Sequence, residues 1–127
     1  LLAIFPATDQ QTLPYSPAIA AALDTRKKIA ALNEERAKAG RSLLKFGLAL
    51  NVGEIAYGNI GSKTRLDFTA IGPAINHTSR LLEVAKRRNR DIVVSENFVR
   101  AAGADFPNLG YHTLRDIAGE QKVFYIA

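Results

Sequence analysis

Leu66-Asp67-Phe68-Thr69-Ala70-Ile71-Gly72-Pro73-Ala74-Ile75-Asn76-His77-Thr78-Ser79-Arg80 reads as a strand, a Gly-Pro break and then a helix. Pro73 suits the first turn of a helix, where a missing N–H costs nothing. The helix start offers free backbone N–H groups and the positive end of the dipole. Asn76 and Arg80 stand one turn apart on it, and Arg80 adds a fixed cation with a planar fork of donors. A helix N-terminus, an Asn and an Arg together suit an anion, most naturally a phosphate.

Outward from this stretch, the pattern predicts alternating helices and strands. Leu1–Phe5 reads as the middle of a buried strand, and with no Met anywhere in the chain it suggests that residues precede it. Ala7–Tyr15 reads as a loop. Ser16 is the expected N-cap and Pro17 the first position of a helix whose stripe is Ile19, Ala22, Leu23, Ile29 and Ala30. Gly40 is its expected C-cap. Ser42–Val52 reads as a strand with Phe46, Leu48, Leu50 and Val52 on one face. Gly53-Glu54 and Gly61–Thr64 read as turns around a strand at Ile55–Ile60, with Arg65–Ile71 as the next strand. A helix is expected over Pro73–Arg87, with Ala74, Thr78, Leu81, Leu82 and Ala85 as its apolar stripe. Asp91–Ser95 is a short strand, and Ser95 caps a helix that ends at Gly103. Tyr111–Leu114 and Val123–Ile126 close the chain as strands. The pattern suits an α/β sandwich with a mixed or antiparallel sheet.

The chain has 127 residues, 47% hydrophobic and 23% charged, which suits one soluble domain. There is no Cys, which excludes a disulfide framework, a thiolate metal site and a thiol nucleophile and fits the cytoplasm. Two His without H-x-x-x-H spacing argue against zinc. No apolar run approaches ~20 residues, so nothing reads as a membrane span. The net charge of +5 is partly concentrated in Lys86-Arg87-Arg88-Asn89-Arg90. The plain reading is a solvated helix end, with cations favoured by the dipole. Nucleic-acid binding is the rival reading, and the absence of interleaved aromatic residues weakens it. Gly53, Gly58 and Gly61 do not have phosphate-loop spacing, and Lys63 does not fit that pattern. They read as turn and bulge glycines.

With Phe46-Gly47-Leu48-Ala49-Leu50-Asn51-Val52-Gly53-Glu54-Ile55-Ala56-Tyr57-Gly58-Asn59-Ile60-Gly61-Ser62 ahead of it, the opening stretch resembles the class III adenylate/guanylate cyclase catalytic domain. The nearest branch is the bacterial one patterned R-x-D-[FY]-T-x-I-G-x-x-[IV]-N, with Thr at the base-selecting position. The resemblance covers most of residues 1–127 and is densest over Gly47–Arg80. It implies an α+β, ferredoxin-like, polymerase-palm-type core with helices packed on one face of the sheet. Residues 1–127 would be the C-terminal two-thirds of one catalytic domain.

The resemblance also implies a reaction: ATP to 3′,5′-cyclic AMP and pyrophosphate. In it Asn76 orients the ribose and Arg80 stabilises charge on the α-phosphate. Thr69 accepts from the exocyclic amine of adenine, and Ala70 lines the base pocket through its backbone. Asp67 sits beside this position and reads as a structural partner of Arg65. Two Mg²⁺ or Mn²⁺ ions are implied. Their Asp ligands, and a base-selecting Lys, would lie upstream of residue 1; Asp9 and Asp24 do not replace them. Where the family has a phosphate-contacting Lys, this chain has Ile117 or Ala118, with Arg115 nearby. The implied assembly is a head-to-tail homodimer with shared sites, without nucleic acid, and with membrane contact only through fused segments. The alternative is a catalytically inactive cyclase-like module that binds nucleotide or a partner domain.

Overall fold

Ile92-Val93-Val94-Ser95 is a run in which every residue is buried, and a strand can bury both faces only if both are covered. The computed structural model of the chain describes residues 1–5, 15–60 and 67–127, with 15, 57–60 and 67–71 described by backbone alone. Its elements are α1 (Tyr15–Lys38), β1 (Leu48–Leu50), β2 (Ala56–Ile60), β3 (Asp67–Ile71), α2 (Pro73–Arg87), β4 (Ile92–Ser95), α3 (Glu96–Ala102), β5 (Asn108–Thr113) and β6 (Glu120–Tyr125). A four-stranded mixed sheet has the order β1-β4-β6-β5, and β2-β3 forms a separate two-stranded unit. β1 and β4 are parallel with Leu48 opposite Ile92. β6 is antiparallel to both β4 and β5. The α+β fold class is as the sequence predicts.

Strand alternation sends side chains to opposite faces, and the two faces build two cores. Leu50, Ile92, Val94 and Phe124 pack with Ala18 and Ala22 of α1 and Phe98 of α3. On the other face Val93 and Val123 pack with Leu81, Val84 and Ala85 of α2 and with Leu114. Helices therefore cover both faces, not one. Ile92, Val93, Val94 and Val123 are all 0% exposed. Burying each is worth roughly 1.5–3 kcal/mol, which makes β4 the centre of the fold.

Local expectations fare unevenly. α2 spans the predicted residues, Pro73–Arg87. Ser95 caps α3 by accepting from the Phe98 N–H, and Gly103 ends it at φ 63. The buried residues of α2, however, are Leu81, Val84 and Ala85, while Leu82 is exposed beside Gly47. α1 starts at Tyr15, so Ser16 lies inside the helix, not at its cap. Of its expected stripe, Ile19, Ala22 and Ile29 are buried or half-buried, while Leu23 and Ala30 are exposed. Gly40 follows at φ 70.

Two predicted strands shrink or vanish for want of ladder partners. Leu1–Phe5 has no strand structure, and Leu1, Leu2 and Phe5 are exposed. Of Ser42–Val52 only Leu48–Leu50 is strand. Residues 41–47 form a strap whose backbone is held by α1 side chains. Asn33 exchanges two hydrogen bonds with Leu44, at 2.7 and 3.0 Å, and the Arg36 Nε donates to the Ser42 carbonyl at 2.7 Å. Phe46, Leu48, Leu50 and Val52 nonetheless share one core, as expected. The predicted loop Ala7–Pro14 with Asp9, and the turn Gly61–Thr64 with Lys63, lie outside the described residues, as do Arg65 and Leu66.

One ion pair joins α1 to the sheet. Arg26 grips Asp91 with Nε and Nη2 at 2.6 and 2.7 Å, and also donates to the carbonyls of Ile126 and Ala127. The hydrogen bond from Arg26 holds the Asp91 carboxyl below its ordinary value, against opposing desolvation. Such a group stabilises the fold fully above the unfolded pKa of about 3.9 and loses that effect as pH falls through the lower native value. The Asp91→Asn variant is therefore expected to lose less stability than the parent between neutral and strongly acidic pH. Urea midpoints across that range measure it, and parallel acid limbs would refute the assignment.

Candidate functional site

The carboxyl ends of β1 and β4 lie side by side, and the first turn of α2 is fastened to them by side chains. The buried Ser95 hydroxyl accepts from the Phe98 N–H at 3.1 Å and donates to the Asn51 Oδ1 at 2.7 Å. The Asn51 Nδ2 donates to the Ala74 carbonyl at 3.1 Å, which also receives the Thr78 hydroxyl at 2.7 Å. This chain of hydrogen bonds ties β1, β4, α3 and α2 at one point. Asn51 has no place among the predicted site residues. Its only sequence signal is an amide just past the apolar run of β1.

Two glycines let the backbones meet here. A Cβ on Gly53 would lie 2.7 Å from the Ala74 Cβ, far inside contact distance. Gly53 is thus a close-approach glycine, not only a turn residue. Gly72, which precedes α2, has φ 145, and a Cβ on it would lie 3.1 Å from the Glu54 carbonyl oxygen. Side chains other than Gly rarely adopt that φ. Together these contacts press the 51–55 segment against the start of α2.

Beside them is an open cleft of about 370 Å³, lined among others by Asn51, Gly53, Pro73, Ala74, His77 and Asn97. Burial lowers the His77 pKa, so its imidazole is neutral at pH 7. Its contribution to stability is complete above the ordinary value near 6.5 and falls as pH drops below it.

Asn76 is exposed on α2. Arg80 follows four residues later, about 6 Å along the axis, with its side chain only 25% exposed. Neither lies on the apolar stripe, as expected, but Arg80 is more enclosed than a solvated face implies. Its Nη1 donates to Glu83 at 3.2 Å, the i,i+3 pair that the spacing predicts, and its Nη2 reaches Asp116 at 3.5 Å. Arg115 binds the same Glu83 oxygen at 3.0 Å. The Arg80 Nε is buried without a hydrogen-bond partner, the one such side-chain atom among the described residues. Leaving a charged donor unpaired is costly, so this N–H would gain an acceptor only if the contacts around Arg80 opened. Arg115, a weak substitute near the position of the family's phosphate-contacting Lys, binds Glu83.

Thr69 and Ala70 lie on β3, opposite Gly58 and Tyr57 of β2, in the hairpin that leads into α2. Only their backbone placement is described. The expected pairing of Asp67 with Arg65 lies outside the described residues. Among the described residues no group of three or more His, Cys, Asp or Glu converges, so they form no site that fits the two implied ions.

No protein-family model matches the chain. The adenylyl cyclase CyaB from P. aeruginosa superposes with a TM-score of 0.78 at 19% identity, covering 97% of this chain and 64% of that one. The guanylyl cyclase Cya2 gives 0.76 at 21%, covering 97% and 62%. In sequence, an adenylate cyclase from Anabaena cylindrica is 30% identical over 87 residues, 65% of this chain. An uncharacterised protein from Mycobacterium tuberculosis is 31% identical over 101 residues, 80% of this chain. The chain spans 17% of the length of each of these two relatives. It has the nucleotidyl cyclase fold.

The Asn51 relay carries a stability prediction. Asn51→Ala leaves the buried Ser95 hydroxyl without its acceptor and is expected to cost about 1–3 kcal/mol, read by urea denaturation. A midpoint equal to the parent's would show that the relay does not hold α2.

Proposed function

We infer that this chain is part of a nucleotidyl cyclase that converts ATP to 3′,5′-cyclic AMP and pyrophosphate. The observation that carries the reading is Arg80 on this fold: a half-enclosed guanidinium with a buried, unpartnered Nε, one turn beyond Asn76. Asn76 orients the ribose. The 3′-hydroxyl gives up its proton to solvent as its oxygen attacks the α-phosphorus, the bond from that phosphorus to the bridging oxygen breaks, and pyrophosphate leaves. Arg80 faces the negative charge that grows on the α-phosphate oxygens, where a fixed donor acts most strongly. To do so it exchanges Asp116, its longer contact, for the phosphate.

Thr69 reads the exocyclic amine of adenine, and Ala70 closes the base pocket with its backbone. Their strand leads directly into α2, so one continuous segment carries base and phosphate recognition. Divalent ions enter through the resemblance alone, and since the described residues form no fitting site, no step is assigned to them. The site is shared in a head-to-tail homodimer, with Asn76 and Arg80 from one subunit facing the nucleotide held by the other.

The experiment is cyclic nucleotide production by the full-length protein from ATP and from GTP with Mn²⁺. Cyclic AMP is expected, falling at least ~100-fold in Arg80→Ala while the variant keeps its fold by circular dichroism. An unchanged rate would remove Arg80 from the chemistry. Specific activity is also expected to drop on dilution as the dimer separates. Constant specific activity through the range where the dimer dissociates would refute the shared site.

A further inference from the structure

The geometry points to the end of the sheet opposite the candidate site as a docking face for an anionic lipid surface. β1 and β4 are parallel neighbours in register at Leu48 and Ile92, so the chain enters both from the same end. The strap 41–47 leads into β1, and the turn 88–91 leads into β4. The two run together: the Leu48 N–H donates to the Asp91 carbonyl at 2.8 Å, and a Cβ on Gly47 would touch Ala85 and Leu82 of α2.

This juxtaposition gathers cations. Arg41 and Lys45 on the strap join Lys86, Arg87, Arg88 and Arg90 at the end of α2, and all six are exposed. Neither 41–47 nor 86–90 contains a carboxylate. None of the six makes an ion pair among the described residues; the nearby Asp91 is taken by Arg26. Six unpaired cations on one end are more than the dipole of a single helix end accounts for.

Two leucines decide the kind of partner. Leu43 and Leu44, between Arg41 and Lys45, are 60% and 38% exposed. The Asn33 amide holds the Leu44 backbone by donating to its carbonyl and accepting from its N–H, which fixes the strap. Apolar side chains flanked by cations match a bilayer interface, where leucines enter the acyl boundary and cations meet headgroup phosphates. Single-stranded nucleic acid is disfavoured, because base stacking needs an open aromatic face, and the exposed leucines have no role against a duplex, which cations alone can bind. Tyr125 at this end is capped by the Arg90 guanidinium, 3.9 Å from the ring centre, and Phe46 packs against the core.

The test is co-sedimentation of the full chain with vesicles of phosphatidylcholine alone and of phosphatidylcholine mixed with phosphatidylserine, beside a duplex DNA titration. Binding is expected on the mixed vesicles only. Arg87→Ser with Arg88→Ser should weaken it about 5-fold per cation removed. Leu43→Ser with Leu44→Ser should weaken vesicle binding while leaving any DNA affinity unchanged. All substitutions are at exposed side chains, and urea midpoints equal to the parent's would confirm folding. No binding to the mixed vesicles would overturn the proposal. So would vesicle binding indifferent to the leucines with DNA bound equally well, which would mark a general polyanion face.

Discussion

The Ser95 hydroxyl is the point on which the arrangement of this molecule turns. Ser95 is the one buried polar residue among those described, and a buried hydroxyl must be satisfied. It is satisfied twice, as the cap of α3 and as donor to Asn51. Asn51 in turn holds the first turn of α2. The hydrophobic sandwich around β4 would tolerate small slides of α2 along the sheet. The directional bonds through Asn51, with the close approach of Gly53 to Ala74, fix its position along that axis. Asn76 and Arg80 take their places from that position.

The Arg80 neighbourhood has the character of a balanced cluster. Two cations, Arg80 and Arg115, face two carboxylates, Glu83 and Asp116. Glu83 sits between the two arginines and is the firmer contact. Asp116 is 78% exposed and 3.5 Å away, so releasing it costs little. In the proposed mechanism the α-phosphate would take the place of Asp116 beside a guanidinium that Glu83 already orients. Such preorganisation is what electrostatic stabilisation of a growing charge requires.

Local chemistry made parts of this legible in the sequence. The Gly72-Pro73 break, the Ser95 cap and Gly103 act through neighbours a few residues away, and α2 and α3 fall where these signals place them. The alternation of strand and helix patterns suited a mixed or an antiparallel sheet, and the parallel pairing of β1 with β4 makes it mixed. What escaped depends on distant partners. Asn51 meets Ala74 and Ser95 across 23 and 44 residues, and Arg26 meets Asp91 across 65. Apolar content alone made Leu1–Phe5 and the strap 41–47 resemble strands. A strand also needs a ladder, and the strap instead found side-chain partners on α1. The second helical layer was not read from the sequence, where the resemblance implied helices on one face, although the unbroken apolar run Ile92-Val93-Val94 needs cover on both. For the candidate site, Asn76 and Arg80 were visible as a pair one turn apart. The enclosure of Arg80 was not, because Asp116 reaches it from the turn before β6 while Arg115 binds its partner Glu83.

The account stands or falls on whether Arg80 touches the α-phosphate. The measurement is the rate of cyclisation of the two α-thiophosphate diastereomers of ATP relative to ATP, in the parent protein and in Arg80→Lys. Contact predicts that the parent discriminates between the diastereomers and that this discrimination shrinks in the variant, whose single ammonium cannot reproduce the guanidinium fork. Equal discrimination in both proteins, with only the overall rate lowered, would place Arg80 away from the reacting phosphate and contradict the mechanism.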